Sequence, residues 1–150
     1  MSESAKEVFV AKTLQINQEI MELAKRQKAV MDENMRYHKL QRSQHRLLLE
    51  IDRIGSKMSQ RDLAENLHVT PAAIAVTLKQ LCEDGVVAKT MSKRDNRYNE
   101  ISLTAKGKRI VKDIRDVVEK ADDKAFRGFT EKELDTIIKF IERAKANLAK

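Results

Sequence analysis

Two helix signals follow one another closely in the middle of this 150-residue chain. Ser59 can cap a short helix over residues 60–67, because a serine hydroxyl accepts a hydrogen bond from a free amide at a helix start. Thr70 can cap a second helix, with Pro71 at the first position, where no backbone N–H is needed. Gly85 can end that helix in a left-handed conformation. Two helices joined by so tight a turn predict a helix-turn-helix unit.

A β-hairpin is predicted directly after this unit. Residues 86–91 and 98–103 are rich in residue types that favour strands. Residues 92–97, between them, are polar, basic and rich in turn formers. The pattern therefore predicts two paired strands joined by a charged tip.

Two helices are predicted before the helix-turn-helix unit. Apolar side chains recur at helical spacing over residues 5–30, and again from Asp32 to Ile51. We expect a break between the two helices near Asp32. The second helix is expected to stop at Gly55, in a left-handed conformation.

Two further helices are predicted after the hairpin. Thr104 can cap a long helix, Gly128 and Thr130 interrupt the pattern, and a last helix extends to Leu148. Only four glycines and one proline occur in the chain, which agrees with a mainly helical fold. Barrels and sandwiches are correspondingly disfavoured.

Charge and cysteine content limit the partners and the compartment. The net charge is +7 and the isoelectric point is near 9.5, which favours a polyanionic partner. The excess is thinly spread among charges of both signs, so solvated helix faces explain most of it. The single cysteine, Cys82, excludes an intramolecular disulfide. With no apolar run near the roughly 18 residues of a membrane span and no signal-peptide pattern, we expect a soluble, cytoplasmic protein without a membrane partner.

Further motif positions combine the helix-turn-helix unit with the hairpin. They are Met58-Ser59-Gln60, Leu63-Ala64, Leu67, Val69-Thr70, Ile74, Leu78, Leu81, Gly85-Val86-Val87, Asp95-x-Arg97 and Leu103-Thr104-x-x-Gly107. This set resembles the winged helix-turn-helix of MarR-type transcriptional regulators. Many winged helices share the helix-turn-helix part, whereas the Asp-x-Arg wing followed by Leu-Thr-x-x-Gly is more specific. The resemblance covers residues 31–110 by motif and the remainder by helix layout.

The resemblance implies a single domain, residues 1–150, that is mainly α with a small β-hairpin wing. It places a winged helix-turn-helix lobe at residues 31–103, and it pairs residues 5–30 with 104–148 as the dimerisation helices of a homodimer. Wide apolar stripes on long helices need a partner surface in any case. An intrachain helical bundle is the alternative.

The second helix of the unit has two distinct faces. Ile74, Leu78 and Leu81 form the face that must be buried. The face expected in the major groove of double-stranded DNA carries Ala72, Val76, Lys79 and Gln80, with Ala75 at its edge. The family commonly has a hydroxyl residue and an arginine where this chain has Ala75 and Val76, so the bidentate reader of guanine is missing. We hypothesise an A·T-rich operator, read through thymine methyls and shape, with polar contacts from Lys79 and Gln80. Tolerated exposure of Val76 is the alternative.

The resemblance also assigns roles in the wing. Arg97 would enter the minor groove, Asp95 would hold the wing by pairing with a nearby arginine, and Lys93 and Arg94 would contact phosphates. The alternative is an exposed, solvated hairpin tip.

The residues at the two helix starts are also candidates for binding DNA. They are Ser59, Gln60, Thr70 and Pro71. Helix starts favour phosphates, and the same residue types serve equally well as caps.

Catalysis finds little support in the sequence. Of the three histidines, His38, His45 and His68, the first two are seven residues apart and could share a helix face, which leaves metal sensing as a minor alternative to chance placement on an exposed helix. No cysteine cluster and no glycine-rich phosphate loop are present. We therefore expect a non-enzyme without cofactor or metal. Cys82 is expected to be a small packing residue rather than a redox sensor. The second class of function is a winged helix that binds protein, or DNA without sequence specificity.

The resemblance finally implies control by a small molecule, often phenolic or anionic, bound between the dimer helices and the lobe. Such a ligand would shift the spacing of the two recognition helices. Arg36, Tyr37, His38 and Arg46 fall near the expected cleft, although surface exposure explains them equally well. We expect a repressor rather than an activator.

Overall fold

Helices dominate the computed structural model, which describes residues 2–55, 59–91 and 99–149. The described helices are α1 (Glu3–Tyr37), α2 (Arg42–Ile54), α3 (Gln60–Leu67), α4 (Pro71–Glu83), α5 (Ala105–Ala125) and α6 (Glu131–Leu148). Between α4 and α5 lie strands β1 (Val87–Met91) and β2 (Asn99–Leu103). The predicted class, mainly α with a small β-hairpin, is confirmed.

The chain contains two units, Met1–Val118 and Glu119–Lys150. The first unit holds α1 to α4, the hairpin and the first part of α5. The second holds the end of α5 and all of α6, whose first turn is closed by reciprocal hydrogen bonds between Thr130 and Glu133.

The predicted helix boundary near Asp32 is wrong. α1 continues through this position because Asp32 forms ion pairs with Lys28 (3.9 Å) and Arg42 (3.5 Å) instead of capping a new helix. Met35, three residues further, is buried, and this burial stabilises the continued helix. The chain turns only at Lys39, which has a left-handed φ of 55°.

The stop at Gly55 occurs as predicted, but with a different conformation. Its φ of 81° is combined with a ψ of −167°, outside the left-handed helical region. That combination is essentially restricted to glycine. Gly55 therefore ends α2 with a backbone conformation that does not continue the helix.

One apolar cluster, which we call the lobe core, joins α2, α3, α4, the hairpin and α5. Its buried members are Leu47, Leu48, Ile51, Leu63, Ala64, Ile74, Leu78, Leu81, Val86, Val87, Ile101, Ile110, Val111 and Ile114. The strands are antiparallel, with Val87 opposite Leu103 and Lys89 opposite Ile101. The alternation along the strands places Val87 and Ile101 in the core.

The start of α5 explains the Leu-Thr-x-x-Gly motif. The Thr104 hydroxyl accepts a hydrogen bond from the Gly107 amide (3.1 Å) and donates one to the Gly85 carbonyl (2.7 Å). A β-carbon at Gly107 would overlap the carbonyl oxygen of Val86. Glycine is therefore required here for space, because the first turn of α5 lies directly against the segment that leaves α4.

Candidate nucleic-acid interface

Reciprocal hydrogen bonds fix the start of α3. The Ser59 hydroxyl accepts from the Asp62 amide (3.1 Å), and the Asp62 carboxylate accepts from the Ser59 amide (2.9 Å). Hydrogen bonds from the Ser59 hydroxyl and amide hold the pKa of the Asp62 carboxyl below its usual range. The predicted cap at Ser59 is confirmed, and the hydrogen bond from the Ser59 amide to the Asp62 carboxylate stabilises it further.

The turn between α3 and α4 is closed on both sides. His68 ends α3 with a left-handed φ of 53°, and the Val69 amide donates to the Ala64 carbonyl (3.1 Å). Arg46, on α2, donates through Nη2 to the Leu67 carbonyl (3.2 Å). A cation at a helix C-terminus is favourable because the carbonyls there carry partial negative charge. Arg46 therefore ties α2 to the turn, a role that the sequence did not reveal.

The start of α4 has its own cap. The Thr70 hydroxyl accepts from the Ala73 amide (3.2 Å), and Pro71 occupies the first turn as predicted. The side-chain amide of Gln60 donates to the Pro71 carbonyl (3.3 Å) and so connects the two helix starts. Ser59, Gln60 and Thr70 thus have structural roles, and their contact with phosphate stays a prediction.

The two predicted faces of α4 are present. Ile74, Leu78 and Leu81 are buried in the lobe core, at most 3% exposed. The opposite face presents Pro71, Ala72, Ala73, Val76, Lys79 and Gln80 to solvent, with Ala75 half-buried at its edge. Val76 is 60% exposed, a large fraction for an aliphatic side chain. We call Ala72, Ala75 and Val76 the apolar recognition face.

Contacts at the end of α4 tie that helix to α5 and fix the turn that leads into β1. Lys106 donates through Nζ to the Asp84 carbonyl (2.7 Å), and the Val86 amide donates to the Leu81 carbonyl (2.9 Å). Gly85 takes the predicted left-handed conformation, with a φ of 67°. Both ends of α4 are therefore tied to neighbouring elements, which gives its exposed face a defined orientation.

The predicted wing contacts fall on residues that the structure does not describe. Lys93, Arg94, Asp95 and Arg97 lie within the gap between residues 91 and 99. The paired strands on either side bring the two ends of this segment together. The roles assigned to the four residues stay predictions.

The residues expected near an effector cleft do not share one environment. Tyr37 is 79% exposed, whereas the His38 side chain is largely buried and its Nε2 lies 2.7 Å from the Asp113 carboxylate. The same carboxylate accepts a hydrogen bond from the buried Asn34 amide (3.2 Å). Asp113 thereby links the end of α1 to α5, a connection between distant residues that periodicity cannot predict.

His45 and Cys82 pack in or against the lobe, and His45 Nε2 is buried without a hydrogen-bond partner among the residues that the structure describes. His45 is buried, and burial lowers the pKa of its imidazole. Cys82 is half-buried against the lobe core. Within the described residues, no three His, Cys, Asp or Glu side chains are grouped to hold a metal ion. No described helix is both long and apolar enough to cross a membrane.

The lobe is similar in sequence and structure to known winged helix-turn-helix proteins. Residues 38–97 match the sequence model of the MarR family. The YusO protein of Bacillus subtilis has a similar structure, with a TM-score of 0.71, 19% identity, and coverage of 97% of this chain and 99% of that one. A mutant of S. aureus MepR, solved bound to an oligodeoxyribonucleotide, is similar with a TM-score of 0.70 and 16% identity. The match covers 89% of this chain and 97% of that one. A crystal structure of MarR is similar with a TM-score of 0.62 and 25% identity, and the match covers 89% of this chain and 97% of that one.

A helix-turn-helix followed by a β-hairpin and a capped long helix defines the winged helix-turn-helix class of DNA-binding transcriptional regulators. Within this class, residues 38–97 match the MarR family model, so this part of the chain is similar to the winged helix-turn-helix of that family. The resemblance noted from the sequence is confirmed.

Proposed function

We propose that this protein acts in the cytoplasm as a homodimeric repressor of transcription. Each subunit would place α4 in the major groove of one half of a pseudo-palindromic, A·T-rich operator. The observation that carries the proposal is the exposed face of α4, held at one end by the Thr70 cap and at the other by Lys106. DNA bound to the MepR mutant supports the same use of a similar fold.

Exposed apolar side chains support the dimer. On α1 they form two stripes, one of Val10, Leu14 and Met21 and another of Phe9, Ile16, Ile20 and Leu23. On α6 they include Ile138, Phe140, Ile141 and Leu148. So much exposed apolar surface is typical of an interface, because burying it is favourable by about 25 cal/mol per Å². A second copy of the chain is the partner that a pseudo-palindromic site requires.

The wing would add minor-groove and phosphate contacts from Lys93, Arg94 and Arg97. The exposed Lys89 and Thr90 in β1 lead towards this segment. Phosphate contacts contribute affinity without sequence information, whereas Arg97 in a narrow minor groove would favour A·T tracts. Arg97→Ala is expected to weaken operator binding strongly without changing the fold.

Small-molecule control of the dimer is the last element of the proposal. A ligand bound beside the end of α1 and the start of α2 would change the spacing between the two recognition helices. Two half-sites lie about 34 Å apart, so a shift of a few Å is enough to lose simultaneous binding. The exposed Tyr37 and the His38–Asp113 pair are the groups that such a ligand would meet first.

A competition gel shift at several salt concentrations tests the proposal against non-specific binding. Labelled duplexes selected by the protein from a random pool are challenged with an excess of unrelated DNA. Specific binding survives the competitor, and its apparent affinity falls with salt according to the number of phosphate contacts. Binding that the competitor removes completely would instead indicate an architectural DNA-binding module. Absence of DNA binding would indicate a protein-interaction module.

A further inference from the structure

The exposed side of the first two turns of α4 presents hydrocarbon to its surroundings. Pro71, Ala72, Ala73 and Val76 are exposed there, and Ala75 is half-buried. Polar exposed side chains of α4 begin at Lys79 and Gln80, in the third turn. The part of a recognition helix that reaches deepest into the major groove is its N-terminal half. In this chain, that half offers methyl groups.

The hydroxyls and the amide closest to this region are engaged within the protein. Thr70 accepts the Ala73 amide, and the buried Thr77 hydroxyl donates to the Ala73 carbonyl (3.0 Å). The Gln60 amide donates to the Pro71 carbonyl. Thr70 keeps its hydroxyl proton and Gln60 keeps a second N–H and its Oε1, but Thr70 precedes α4, Gln60 lies on α3 and Thr77 is buried. The exposed side chains of the first two turns of α4 therefore carry no hydrogen-bonding group. Apolar contact is the recognition chemistry that this region supplies without rearrangement.

Val76 is the largest side chain of the apolar recognition face, and it is 60% exposed. The apolar group that DNA displays in the major groove is the 5-methyl group of thymine. We propose that Val76 recognises a 5-methyl group on a pyrimidine, at one base step in each half-site. The inference rests on the proposed function, since it requires α4 to lie in the major groove.

The expected preference of Val76 extends beyond A·T pairs. A 5-methyl group on cytosine occupies the same position on the pyrimidine ring as that of thymine. At the step that Val76 contacts, 5-methylcytosine would therefore be accepted in place of thymine, whereas unmethylated cytosine would not. The site reads a methyl group rather than a base pair, so cytosine methylation of an operator would strengthen binding.

A protein partner fits the same face less well. Its three members include two alanines, and charged or amide side chains follow directly at Lys79 and Gln80. Specific protein interfaces bury about 800 Å² on each partner. A single exposed valine among alanines is too small a centre for such a contact, whereas it matches the size of one methyl group in a groove.

Deoxyuridine substitution tests the proposal, because uracil lacks only the methyl group of thymine. The probe is a duplex selected by the wild-type protein from a random pool, and thymines are replaced symmetrically, one step at a time. Loss of about 0.8 kcal/mol per buried methyl group corresponds to about fourfold in Kd per half-site, and about 15-fold for both. We expect this loss at one step for the wild type and no further loss for Val76→Ala at that step.

A second set of duplexes carries cytosine or 5-methylcytosine at the sensitive step. Cytosine at this step should weaken binding. In the wild type, but not in Val76→Ala, 5-methylcytosine should restore most of the affinity that depends on the methyl group. Val69→Ala, an identical change at an exposed position in the turn, serves as the control and should retain the full response to deoxyuridine.

Specific binding without sensitivity to deoxyuridine at any step would overturn this inference and leave the proposed function standing. The same holds if Val76→Ala responds to deoxyuridine as the wild type does. If no duplex is bound specifically by the wild-type protein, the proposed function itself fails. The two failures are thus distinguished by the unmodified duplex.

Discussion

The lobe core and the long helix α1 differ in how much of their apolar surface is buried within one chain. In the core, Leu47, Leu48, Leu78 and Leu81 have no exposed surface. On α1, Phe9, Leu14 and Met21 are 59%, 57% and 73% exposed. A helix that leaves a wide apolar face in water is not stable by itself. The lobe core is therefore closed within one chain, whereas the apolar face of the N-terminal helix is left for the proposed dimer partner.

The largest effect is expected from a charge placed within an α1 stripe. Ile20→Glu puts a carboxylate into the proposed interface, where desolvation is costly. We expect a monomer by sedimentation velocity and a loss of operator affinity of about 100-fold or more, because linked binding of two half-sites is lost.

Gln18→Glu is the matched control, since it adds the same charge to the same helix outside the two stripes. It should remain dimeric. The far-ultraviolet circular dichroism of both variants should keep the signal of the lobe. A dimeric Ile20→Glu protein with unchanged affinity would contradict the comparison between α1 and the lobe.

Gly107→Ala should weaken the lobe itself. The added β-carbon meets the Val86 carbonyl oxygen, and the packing of α5 on the chain after α4 must shift. A cost of about 3 kcal/mol or more is expected because the overlap is with backbone, measured by urea unfolding. Gly85→Ala meets no atom within 4 Å, and its left-handed φ costs about 1 kcal/mol. Equal costs for the two variants would remove the spatial explanation for the glycine of the motif.

His45 should give the lobe a pH-dependent stability. Burial lowers its folded pKa, so its neutral form is favoured in the folded state. The contribution is complete above the unfolded pKa of about 6.5 and is lost as the pH falls through the folded pKa. The free energy of unfolding should drop by up to about 1.4 kcal/mol per pH unit below about pH 6.5.

His45→Gln should flatten this dependence below about pH 6.5, as measured by urea unfolding at each pH. The slope, rather than the absolute stability, is the relevant quantity. A variant with the slope of the wild type would show that another group titrates in this range.

The smallest effect is expected at the cap of α4. Thr70→Ala removes the acceptor for the Ala73 amide and should lower the free energy of unfolding by about 1 kcal/mol. Thr70→Ser keeps a hydroxyl acceptor and should retain most of that stability. Hydrogen exchange should become faster in the first turn of α4. Thr130→Ala removes the equivalent cap of α6 and should affect only that helix. Faster exchange at α4 in the Thr130 variant would mean that the two regions are not independent.

Local signals allowed much of the lobe to be predicted. The caps at Ser59 and Thr70 and the left-handed Gly85 depend on neighbours within a few residues, so the sequence reports them directly. The faces of α4 followed from helical periodicity. Both strands were predicted to within one residue, because strand-forming residues flank a polar segment.

Contacts between distant residues could not be predicted. The continuation of α1 past Asp32 depends on the burial of Met35 and on Asp113, far along the chain. Arg46 was expected near an effector cleft, but its guanidinium bonds to the end of α3. Neither contact leaves a periodic pattern or a motif, so composition and spacing carry no trace of them.

Hydroxyl-radical footprinting of the selected operator, combined with the mass of the complex by sedimentation, shows whether a dimer binds two half-sites. We expect two chains on one duplex and two protected half-sites related by twofold symmetry. Their centres should lie one helical turn, about 34 Å, apart or a multiple of it. One chain on a single unsymmetrical site, or uniform protection without sequence preference, would contradict this mode of binding.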